Sequence, residues 1–506
     1  RNYTYSMPIM INITVDISIK DNNSITTLPR KTFDNILLGK IPIMVGSSYC
    51  MVVKYPHLSV DECKYDKGGY TIINGNEKVI ITQEKIANNI IQVFKLNKVN
   101  NKYSYVAEIR SCNEQLFTIP KLVSVKMTNK KNDNLIYITI PNIKVDIPII
   151  ILFRLFGYES DKEICYSIID GNDTKLDNKL LELLIPSLIN NCDVKTEAEA
   201  YKYLIKYLQN NVINLSDDKK ILFIKKYVLK HYLPHLDTNT KKVLFTGYLI
   251  NCILKCHLNI YESDDRDSYL HKRLDTPGIL LGNLTYQCIN KIHRDMKNSI
   301  IKEINSGLHN INNDNYYYNN IINDINIHKL LKSSYLETTL KSALATGNWG
   351  LKSNTNKMGV SQVLSRLTYL STISHLRRVS TTADGSTGIL IQPRKLHPTS
   401  WGMICPTETP EGQSIGLIKN LSTMCEITNY NTSSIIRDII KEYIIDIEDI
   451  DIFSYSKNNT KIFINGDWIG FTEDPCKFIK MYKSYRSKNI INIYNSIYID
   501  NIKNNI

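Results

Sequence analysis

Residues Arg394–Leu421, RKLHPTSWGMICPTETPEGQSIGLIKNL, form the most distinctive stretch of this 506-residue chain, and we call it the signature segment. It contains three prolines and three glycines, and its apolar residues follow neither a helical nor a strand period. Surface loops are ordinarily small and polar, whereas this segment combines turn-forming residues with Trp401, Cys405 and an apolar end. We therefore expect the signature segment to adopt one fixed shape.

The residues before the signature segment predict two helices and a loop. Leu336–Ala345 has apolar residues at helical spacing and is followed by Gly347, a residue type that commonly ends helices. Ser361–Leu376 has a similar amphipathic period and predicts a second helix, which two arginines follow. The Thr, Ser, Gly and Asp residues of Thr381–Gly388 predict a flexible loop between that helix and the signature segment.

The remaining chain predicts several domains. Residues 3–128 contain short β-branched runs, and within them Tyr70–Ile81 predicts a hairpin around an Asn-Gly turn. Residues 129–258 have apolar residues at helical spacing, and short strands return after residue 429. The predicted fold class is therefore α+β, multidomain, with mixed helices and antiparallel sheets. The length suggests roughly three or four domains.

Charge and cysteine usage restrict the possible partners and compartment. The net charge of +13 and the pI of about 9.0 favour a polyanionic partner, although a solvated lysine-rich surface would give the same balance. Eleven cysteines without CxxC pairs argue against a disulfide framework and favour a reducing compartment. Cys252, Cys256 and His257 lie in an apolar helical run, so we expect a buried helix face there and not a zinc site.

The sequence gives little support to catalytic motifs of enzymes that act without a partner subunit. The sequence has no Walker, dinucleotide-binding or HExxH motif. Its GxSxG match, Gly412–Gly416, follows two prolines, which argue against the strand that a nucleophile elbow requires. Glu408 and Glu411 share one tight turn, so we expect them to accept hydrogen bonds from turn amides, and we expect His397 to stabilise its own turn.

One acidic cluster offers a metal-binding alternative. Asp264, Asp265 and Asp267 could hold Mg²⁺ in a self-contained phosphoryl-transfer enzyme. They are interleaved with Arg266 and followed by further basic residues, so an interlocked ion-pair cluster is the expected arrangement.

Basic residues surround the signature segment and favour a nucleic-acid track. Two polar loops carry Arg and Lys at their edges, a pattern that suits a phosphate backbone and predicts binding that weakens with salt. A solvated charged rim is the alternative. The residues are Lys352, Lys357, Arg377, Arg378, Arg394 and Lys395.

Gly359–Arg378 and the signature segment together resemble the fork region of the second-largest, beta-type subunit of multisubunit RNA polymerases, in its eukaryotic and large-DNA-virus branch. Other segments resemble the same subunit and occur in family order. They are Val45–Cys50, Gly68–Val79, Asp146–Arg154, Leu233–His235, Asp264–Asp267, Lys272–Asp275 and Thr346–Gly350. The resemblance implies an N-terminal and middle fragment of that subunit.

The resemblance also implies domains and site residues. The implied domains are a protrusion (1–128 and 263–335), a lobe (129–262), a fork (336–428) and a truncated external domain (429–506). With the charge argument, the expected nucleic-acid-binding residues are Lys352, Lys357, Gln362, Arg366, His375, Arg377, Arg378, Arg394 and Lys395. The expected structural brace of the fork is His397, Trp401, Glu408 and Glu411. The second fork loop, Thr381–Gly388, lacks Lys and Arg, so we do not expect its side chains to grip DNA, and we assign no role to the polar insertion 307–326.

The implied function is DNA-dependent RNA synthesis by a multisubunit polymerase, a nucleotidyltransferase. This chain would form one wall of the cleft and a fork that positions the RNA–DNA hybrid and downstream DNA. The resemblance places the catalytic Mg²⁺ mainly on the largest subunit, so we expect no catalytic or metal-binding residue in this chain and no activity from it alone. The alternative is a non-catalytic, basic nucleic-acid-binding virion or structural protein.

The expected partners are the largest and smaller polymerase subunits, the DNA template, the RNA transcript and nucleoside triphosphates, and no membrane. Heavy use of Asn, Ile, Lys and Tyr favours an AT-rich genome. We expect an intracellular, reducing location: the virion and host cytoplasm for a viral protein, or the nucleus for a cellular one.

Overall fold

The computed structural model describes residues 2–20, 25–55, 62–96, 101–113, 119–129, 134–171, 174–191, 193–208, 216–306, 322–350, 357–381, 391–428, 432–448 and 459–506. The chain forms two compact units, and each is built from two separate stretches. Unit 1 comprises Arg1–Lys85 and Lys272–Cys425, and unit 2 comprises Ile86–His271 and Glu426–Ile506. Residues 86–128 thus lie in the same unit as 129–271. The protrusion, lobe, fork and external boundaries stay predictions, because compactness alone does not assign those names.

Unit 1 combines small sheets with packed helices. Its antiparallel pairs are Ser6–Val15 with Lys31–Pro42 and Ser18–Lys20 with Ile25–Thr27. A three-stranded sheet has the order Ser361–Val363, Asn76–Ile80, Thr71–Ile73, and a four-stranded sheet has the order Lys272–Asp275, Thr82–Ile86, Arg378–Thr381, Ile418–Asn420. The helices are Met51–Lys54, Pro277–Ser306, Asp324–Leu331, Ser334–Thr346 and Tyr369–Leu376.

The core of unit 1 forms around the Ser334–Thr346 helix. Leu336, Leu340 and Leu344 are fully buried on one face of that helix, at the spacing that predicted it. They belong to the same apolar cluster as Phe33 of the long hairpin and Trp349, whose indole N–H donates to the Leu280 carbonyl at 3.1 Å. Unit 1 therefore has a hydrophobic core of its own.

Unit 2 joins a sheet to a group of helices. Its five-stranded antiparallel sheet has the order Ile147–Pro148, Ile136–Thr139, Lys121–Thr128, Tyr103–Ser111, Gln92–Lys95. Its helices are Ile149–Leu155, Asp161–Ile168, Thr174–Ile189, Glu197–Ile205, Asp217–Phe223, Leu229–His231, Asn239–His257, Ser434–Ile440 and Pro475–Ser487, with a π-helical turn at Ile224–Val228. A second sheet has the order Ile445–Asp446, Asp467–Thr472, Thr460–Ile464.

The Asn239–His257 helix is the centre of unit 2. It is buried from Lys242 to Cys256, so apolar residues occur on every side of it and not only in one stripe. Cys252 and Cys256 lie on this helix with exposures of 2% and 3%, which confirms the predicted buried face. The amide of Ala87 donates to the carbonyl of His271 at 2.8 Å, so the two ends of the first stretch of unit 2 meet.

The mixed α+β class is confirmed, and so are several local predictions. The predicted hairpin consists of Thr71–Ile73 and Asn76–Ile80. Its two turn residues have positive φ, 51° at Asn74 and 80° at Gly75, as the Asn-Gly pair predicts. The predicted stop at Gly347 is also present, because this residue ends the Ser334–Thr346 helix with φ 77°.

The predicted helix over Ser361–Leu376 is wrong in its first half. Ser361–Val363 is a strand that pairs antiparallel with Lys78–Ile80, and only Tyr369–Leu376 is helical. The helix begins late because Thr368 and Ser371 form a capping box, in which each side chain accepts a hydrogen bond from the other residue's amide. The helical spacing of apolar residues was misleading before Thr368, because Val363 and Leu367 are exposed, at 60% and 89%.

Each unit contains a carboxylate that lies between two lysines. In unit 1, Glu84 lies 2.7 Å from Lys272 Nζ and 3.1 Å from Lys419 Nζ. Burial by itself would raise the pKa of Glu84, but the two ammonium groups reverse that effect and lower it. These three residues belong to three strands of the four-stranded sheet.

The carboxylate of unit 2 is Asp170. It lies 2.6 Å from Lys255 Nζ and 2.6 Å from Lys461 Nζ. Burial would raise the pKa of Asp170, but both lysines oppose this and hold it well below its usual range. Lys461 also lies over the rings of Tyr248 and Trp468, at 4.9 and 5.4 Å.

Across the described residues, no helix combines the length and the apolarity that crossing a bilayer would take.

Candidate nucleic-acid interface

The signature segment is closed by the four-stranded sheet of unit 1. Arg378–Thr381, which precedes it, and Ile418–Asn420, at its end, are antiparallel neighbours. Backbone bonds tighten the closure: the Cys405 amide donates to the Asn420 carbonyl at 2.9 Å, and the Leu421 amide donates to the Arg377 carbonyl at 3.2 Å. The segment is therefore held at several points, as a fixed shape requires.

Arg394 clamps the tight turn of this segment from within. Its Nη1 donates to the carbonyls of Gln413 at 2.5 Å and Ile415 at 3.0 Å. Gly416 has φ 71°, and a Cβ added there would lie 2.3 Å from the Arg394 carbonyl oxygen, so only glycine fits. The guanidinium and the glycine together fix the path of the turn.

Arg377 and Arg378 follow the Tyr369–Leu376 helix. Arg377 Nη2 donates to the carbonyls of Ser422 at 2.6 Å and Thr423 at 3.3 Å, so it is anchored without a carboxylate. Arg378 begins the next strand, and its Nε is buried with no hydrogen-bond partner in the described part of the chain. Both arginines are half-buried.

Arg366 differs from those two arginines because carboxylates neutralise its charge. Its Nε and Nη2 form a bidentate pair with Glu77 at 2.7 and 2.8 Å, and Nη2 also reaches Asp66 at 3.0 Å. The guanidinium lies 5.0 Å from the centre of the Tyr70 ring. The hydrogen bonds from Arg366 to Glu77 are the main cause that raises the pKa of Arg366. Arg366 thus ties the residues before the Tyr369–Leu376 helix to the 71–80 hairpin and to Asp66.

Gln362 and His375 form an internal hydrogen-bond chain. His375 is 5% exposed; its Nδ1 accepts from the Ser365 amide at 3.1 Å, and its Nε2 lies 3.1 Å from Gln362 Oε1. Acceptance at Nδ1 makes Nε2 the protonated nitrogen of a neutral ring. Burial, with Arg378 nearby, lowers the pKa of His375. The pair holds the Ser361–Val363 strand against the helix.

The lysines of the set lie in different settings. Lys357 pairs through its backbone with Trp349, at 2.8 and 3.0 Å, and burial lowers its pKa. Lys395 is exposed. Lys352 lies outside the described residues, as do residues 382–388 of the predicted second fork loop and residues 307–321 of the insertion.

The four residues of the predicted brace fall into two groups, two that form hydrogen bonds and two that are exposed. The His397 Nδ1 lies 2.6 Å from Thr399 Oγ1 and accepts from the Thr399 amide, so it stabilises its own turn as predicted. Glu408 accepts from Ser374 Oγ at 2.5 Å, which links the signature segment to the Tyr369–Leu376 helix. Trp401 is 91% exposed, and Glu411 is also exposed. Neither of the last two adds buried packing to the segment.

The predicted interlocking of the Asp264–Asp267 cluster is wrong. Asp264 accepts from the Val93 amide at 2.7 Å and Asp265 from the Asp267 amide at 2.9 Å, while Arg266 pairs with Glu108 at 3.2 Å. The acids satisfy backbone amides, which compete well for carboxylates in turns. Within the part of the chain that the structure describes, no three His, Cys, Asp or Glu residues are grouped as a metal site requires. The cluster does not fit Mg²⁺.

Sequence reasoning missed the charged residues whose ion pairs join Arg366 and the signature segment to distant strands of unit 1. They are Asp66, Glu77, Glu84, Lys272 and Lys419, although Lys272 had been noted as a basic neighbour of the aspartates. Their partners lie 188 to 335 residues away along the chain, so no local pattern could indicate the pairs.

Two family models match this chain. One, described as RNA polymerase beta subunit, matches residues 1–329, and another, described as RNA polymerase Rpb2, domain 3, matches residues 362–427. The chain belongs to the RNA polymerase beta subunit family. This confirms the resemblance to the second-largest subunit.

Curated relatives come from eukaryotes, a virus and archaea. DNA-directed RNA polymerase II subunit 2 of Arabidopsis thaliana is 36% identical, over 97% of this chain and 41% of the relative. DNA-directed RNA polymerase subunit 2 of Acanthamoeba polyphaga mimivirus is 33% identical, over 94% and 39%. DNA-directed RNA polymerase subunit Rpo2 of Sulfolobus acidocaldarius is 30% identical, over 96% and 41%. The chain spans about 40% of the length of these relatives.

Proposed function

We propose that this chain serves in the second-largest subunit of a DNA-directed RNA polymerase, where its fork positions the RNA–DNA hybrid and downstream DNA. The single observation that carries the proposal is the pair of family matches, because they cover the fork and most of the chain before it. The partners would be the largest and smaller polymerase subunits, DNA, RNA and nucleoside triphosphates. The compartment would be the nucleus for a cellular protein, or the virion and host cytoplasm for a viral one.

The charge balance of the fork supports a division of roles. The described contacts of Arg377 are to carbonyls, Arg378 Nε has no partner among the described residues, and Lys395 is exposed, and cations of this kind attract phosphate. We propose that these three, with Arg394, Lys357 and Lys352, form the nucleic-acid contact. Arg366, Gln362 and His375 would be positioning residues, since their polar groups are already engaged within unit 1.

The signature segment would act as a support for that contact. Glu408 accepts a hydrogen bond from Ser374, and Arg394 donates to carbonyls of the turn. The backbone positions of the neighbouring basic residues are therefore fixed. Fixed cations lose less conformational entropy when they meet a phosphate. The chemical step, nucleotidyl transfer with Mg²⁺, would belong to the largest subunit, and this chain would hold the nucleic acid in register.

The test uses the full-length subunit assembled with its polymerase partners. We expect template-dependent RNA synthesis, and we expect Arg377→Ala/Arg378→Ala to shorten the lifetime of the hybrid-bound complex most strongly at high salt. Each charge-assisted contact is worth roughly 1.5–3 kcal/mol. Lys395→Ala should act in the same direction without disturbing the fold, because that side chain is exposed. Lys441→Ala, an exposed lysine of unit 2, is the matched control.

Three outcomes would contradict the proposal. Hybrid lifetimes that none of these variants changes would make the arginines structural only. A folded assembly without RNA synthesis would favour the basic virion or structural protein. Metal-dependent phosphoryl transfer by the isolated chain would favour the enzyme that uses Asp264, Asp265 and Asp267.

A further inference from the structure

Unit 2 contains a cavity of about 390 Å³ that the proposed polymerase role does not use. Its volume lies at the lower end of the range of small-molecule sites, roughly 300–1,000 Å³. One wall is apolar and is formed by Leu155 and Phe156, and the others carry Tyr201, Lys225, Lys230 and Lys242. The cavity therefore joins an apolar surface to several cations.

Lys242 is the most unusual group of this cavity. The residue is 5% exposed, and its Nζ donates to the Leu229 carbonyl at 2.9 Å. An ammonium group has three N–H donors, and this carbonyl takes one of them. Burial is the main cause that lowers the pKa of Lys242, to about 8, and the nearby Asp237 only partly opposes it. A buried cation with one neutral acceptor gains from an anionic neighbour.

The two carboxylates of the cavity do not neutralise its three lysines. Glu197 lies 3.4 Å from Lys225, and the Lys225 ammonium lies 5.0 Å from the centre of the Tyr201 ring. Asp237 is exposed, so water screens its attraction for Lys242. The three lysines exceed the two carboxylates by one positive charge. The π-helical turn Ile224–Val228, a feature common at functional sites, carries Lys225 to the edge.

We propose that this cavity binds a small molecule that carries an oxyanion, a phosphate ester or a carboxylate. The oxyanion contacts Lys242 and Lys230, and the body of the molecule packs on Phe156 and Leu155. The size of the cavity selects a small molecule over a nucleic-acid strand. The inference is independent of the proposed function, because every residue that forms the cavity belongs to the first stretch of unit 2.

In the test, the full chain is titrated with inorganic phosphate, phenyl phosphate and benzoate, and calorimetry measures the binding. We expect saturable binding at millimolar concentrations or below, with phenyl phosphate tighter than inorganic phosphate because only the former reaches the apolar wall. The tighter of phenyl phosphate and benzoate identifies the natural oxyanion. Lys242→Met should weaken binding about 10-fold, as the loss of one charge-assisted contact predicts.

Lys226→Met is the matched control, because Lys226 is an exposed neighbour on the same helical turn but does not line the cavity. It should change the affinity less than twofold, which is about 0.4 kcal/mol. An equal loss in both variants would show diffuse surface charge and would overturn the proposal. Preference for a single-stranded oligonucleotide over phenyl phosphate, or no saturable binding of the three probes, would also overturn it.

A second measurement applies even if Lys242→Met fails to fold. Benzoate stays ionised above pH 6, so its affinity should fall as pH rises through the pKa of Lys242, and bound benzoate should raise that pKa in a [¹⁵N]lysine Nζ titration. Lys225, Lys230, Glu197 and Asp237 also face the cavity, so the deciding measurement is the Lys242 resonance itself and not the affinity alone. A Lys242 resonance whose titration is the same with and without benzoate would contradict the proposal.

Discussion

Glu84 of unit 1 and Asp170 of unit 2 are carboxylates that each lie between two lysines, but they join different parts of their units. Glu84 lies at the end of the first stretch of unit 1, and Lys272 is the first residue of the returning stretch. Asp170 and Lys255 both lie in the first stretch of unit 2, and only Lys461 comes from the returning stretch. Glu84 therefore joins the two stretches of unit 1 at the positions where the chain leaves and re-enters that unit. Asp170, in contrast, lies within the first stretch of unit 2 and binds a strand of the second stretch.

The two carboxylates also differ in the other interactions that hold their lysine partners in place. Around Glu84, the strands that carry all three residues are hydrogen-bonded in one sheet, so the ion pairs are supported by a ladder. Around Asp170, the partners lie on a helix and on a strand of a separate sheet, and Lys461 adds contacts with the Tyr248 and Trp468 rings. We infer that unit 2 depends more on its carboxylate than unit 1 does.

The largest expected effect is that of Asp170→Asn. This change keeps the shape of the side chain but leaves two buried ammonium groups without their anion, so the free energy of unfolding of unit 2 should fall by about 4 kcal/mol. Trp468 is buried beside Lys461 and reports on this unit. Urea denaturation followed by its fluorescence, in a background with Trp349→Phe and Trp401→Phe, measures the loss.

Asp217→Asn is the control, because Asp217 pairs with Lys220 on an exposed helix surface and should contribute little. A fall as small as that of Asp217→Asn would mean that water reaches the Asp170 cluster after substitution. It would remove the contrast between the units.

The second effect is that of Glu84→Gln, which should lower the free energy of unfolding of unit 1 by about 3 kcal/mol. The strands that carry the three residues would stay paired in one sheet, so we expect a smaller loss than in unit 2. Trp349 is buried in the core of unit 1 and serves as the probe when Trp401 and Trp468 are replaced by Phe. Asp16→Asn, at an exposed pair with Arg30, should cause no measurable change.

The two substitutions should each destabilise only the unit that contains them. Asp170→Asn should move the Trp468 transition, and Glu84→Gln should move the Trp349 transition. If either substitution moved both transitions equally, the two units would unfold as one, and each carboxylate would stabilise the whole chain.

The smallest expected effect is a pH dependence in unit 2. His235 is buried against Phe245, its Nδ1 lies 2.7 Å from Ser111 Oγ, and burial lowers its pKa to about 3. The unfolded chain binds a proton near pH 6.5 while the folded chain does not, so stability is complete above that pH and falls on acidification. Between pH 6.5 and 5.5 the loss should be about 1 kcal/mol.

His235→Gln removes this titration, so the Trp468 transition of that variant should depend less on pH over the same interval. Other histidines titrate equally in both proteins and cancel in the comparison. Identical slopes in the two proteins would place a proton on folded His235 and contradict its burial.

Features fixed by neighbouring residues could be predicted from the sequence. The Asn-Gly hairpin and the glycine stop after the Ser334–Thr346 helix follow from backbone preferences of one or two residues. The start of the Tyr369–Leu376 helix is also local, since Thr368 and Ser371 form its cap, but the apolar period before it concealed that signal.

Features that join distant residues could not be predicted. Arg366 was expected to face nucleic acid, but Glu77 and Asp66 bind it from positions 289 and 300 residues away. Trp401 was expected to stiffen the signature segment, but it is 91% exposed, whereas the nearby Ile404 is 6% exposed. Residue type alone does not determine which of two nearby apolar side chains enters a core.

The hydrogen bond between Ala87 and His271 has a consequence for synthesis of the chain on the ribosome. Glu84 emerges from the ribosome long before its two lysine partners, which follow 188 and 335 residues later. When the first stretch of unit 2 folds, its joined ends bring Lys272 close to Glu84 and replace a long loop closure with a short one. We therefore expect the first stretch of unit 2 to shorten the loop that unit 1 must close.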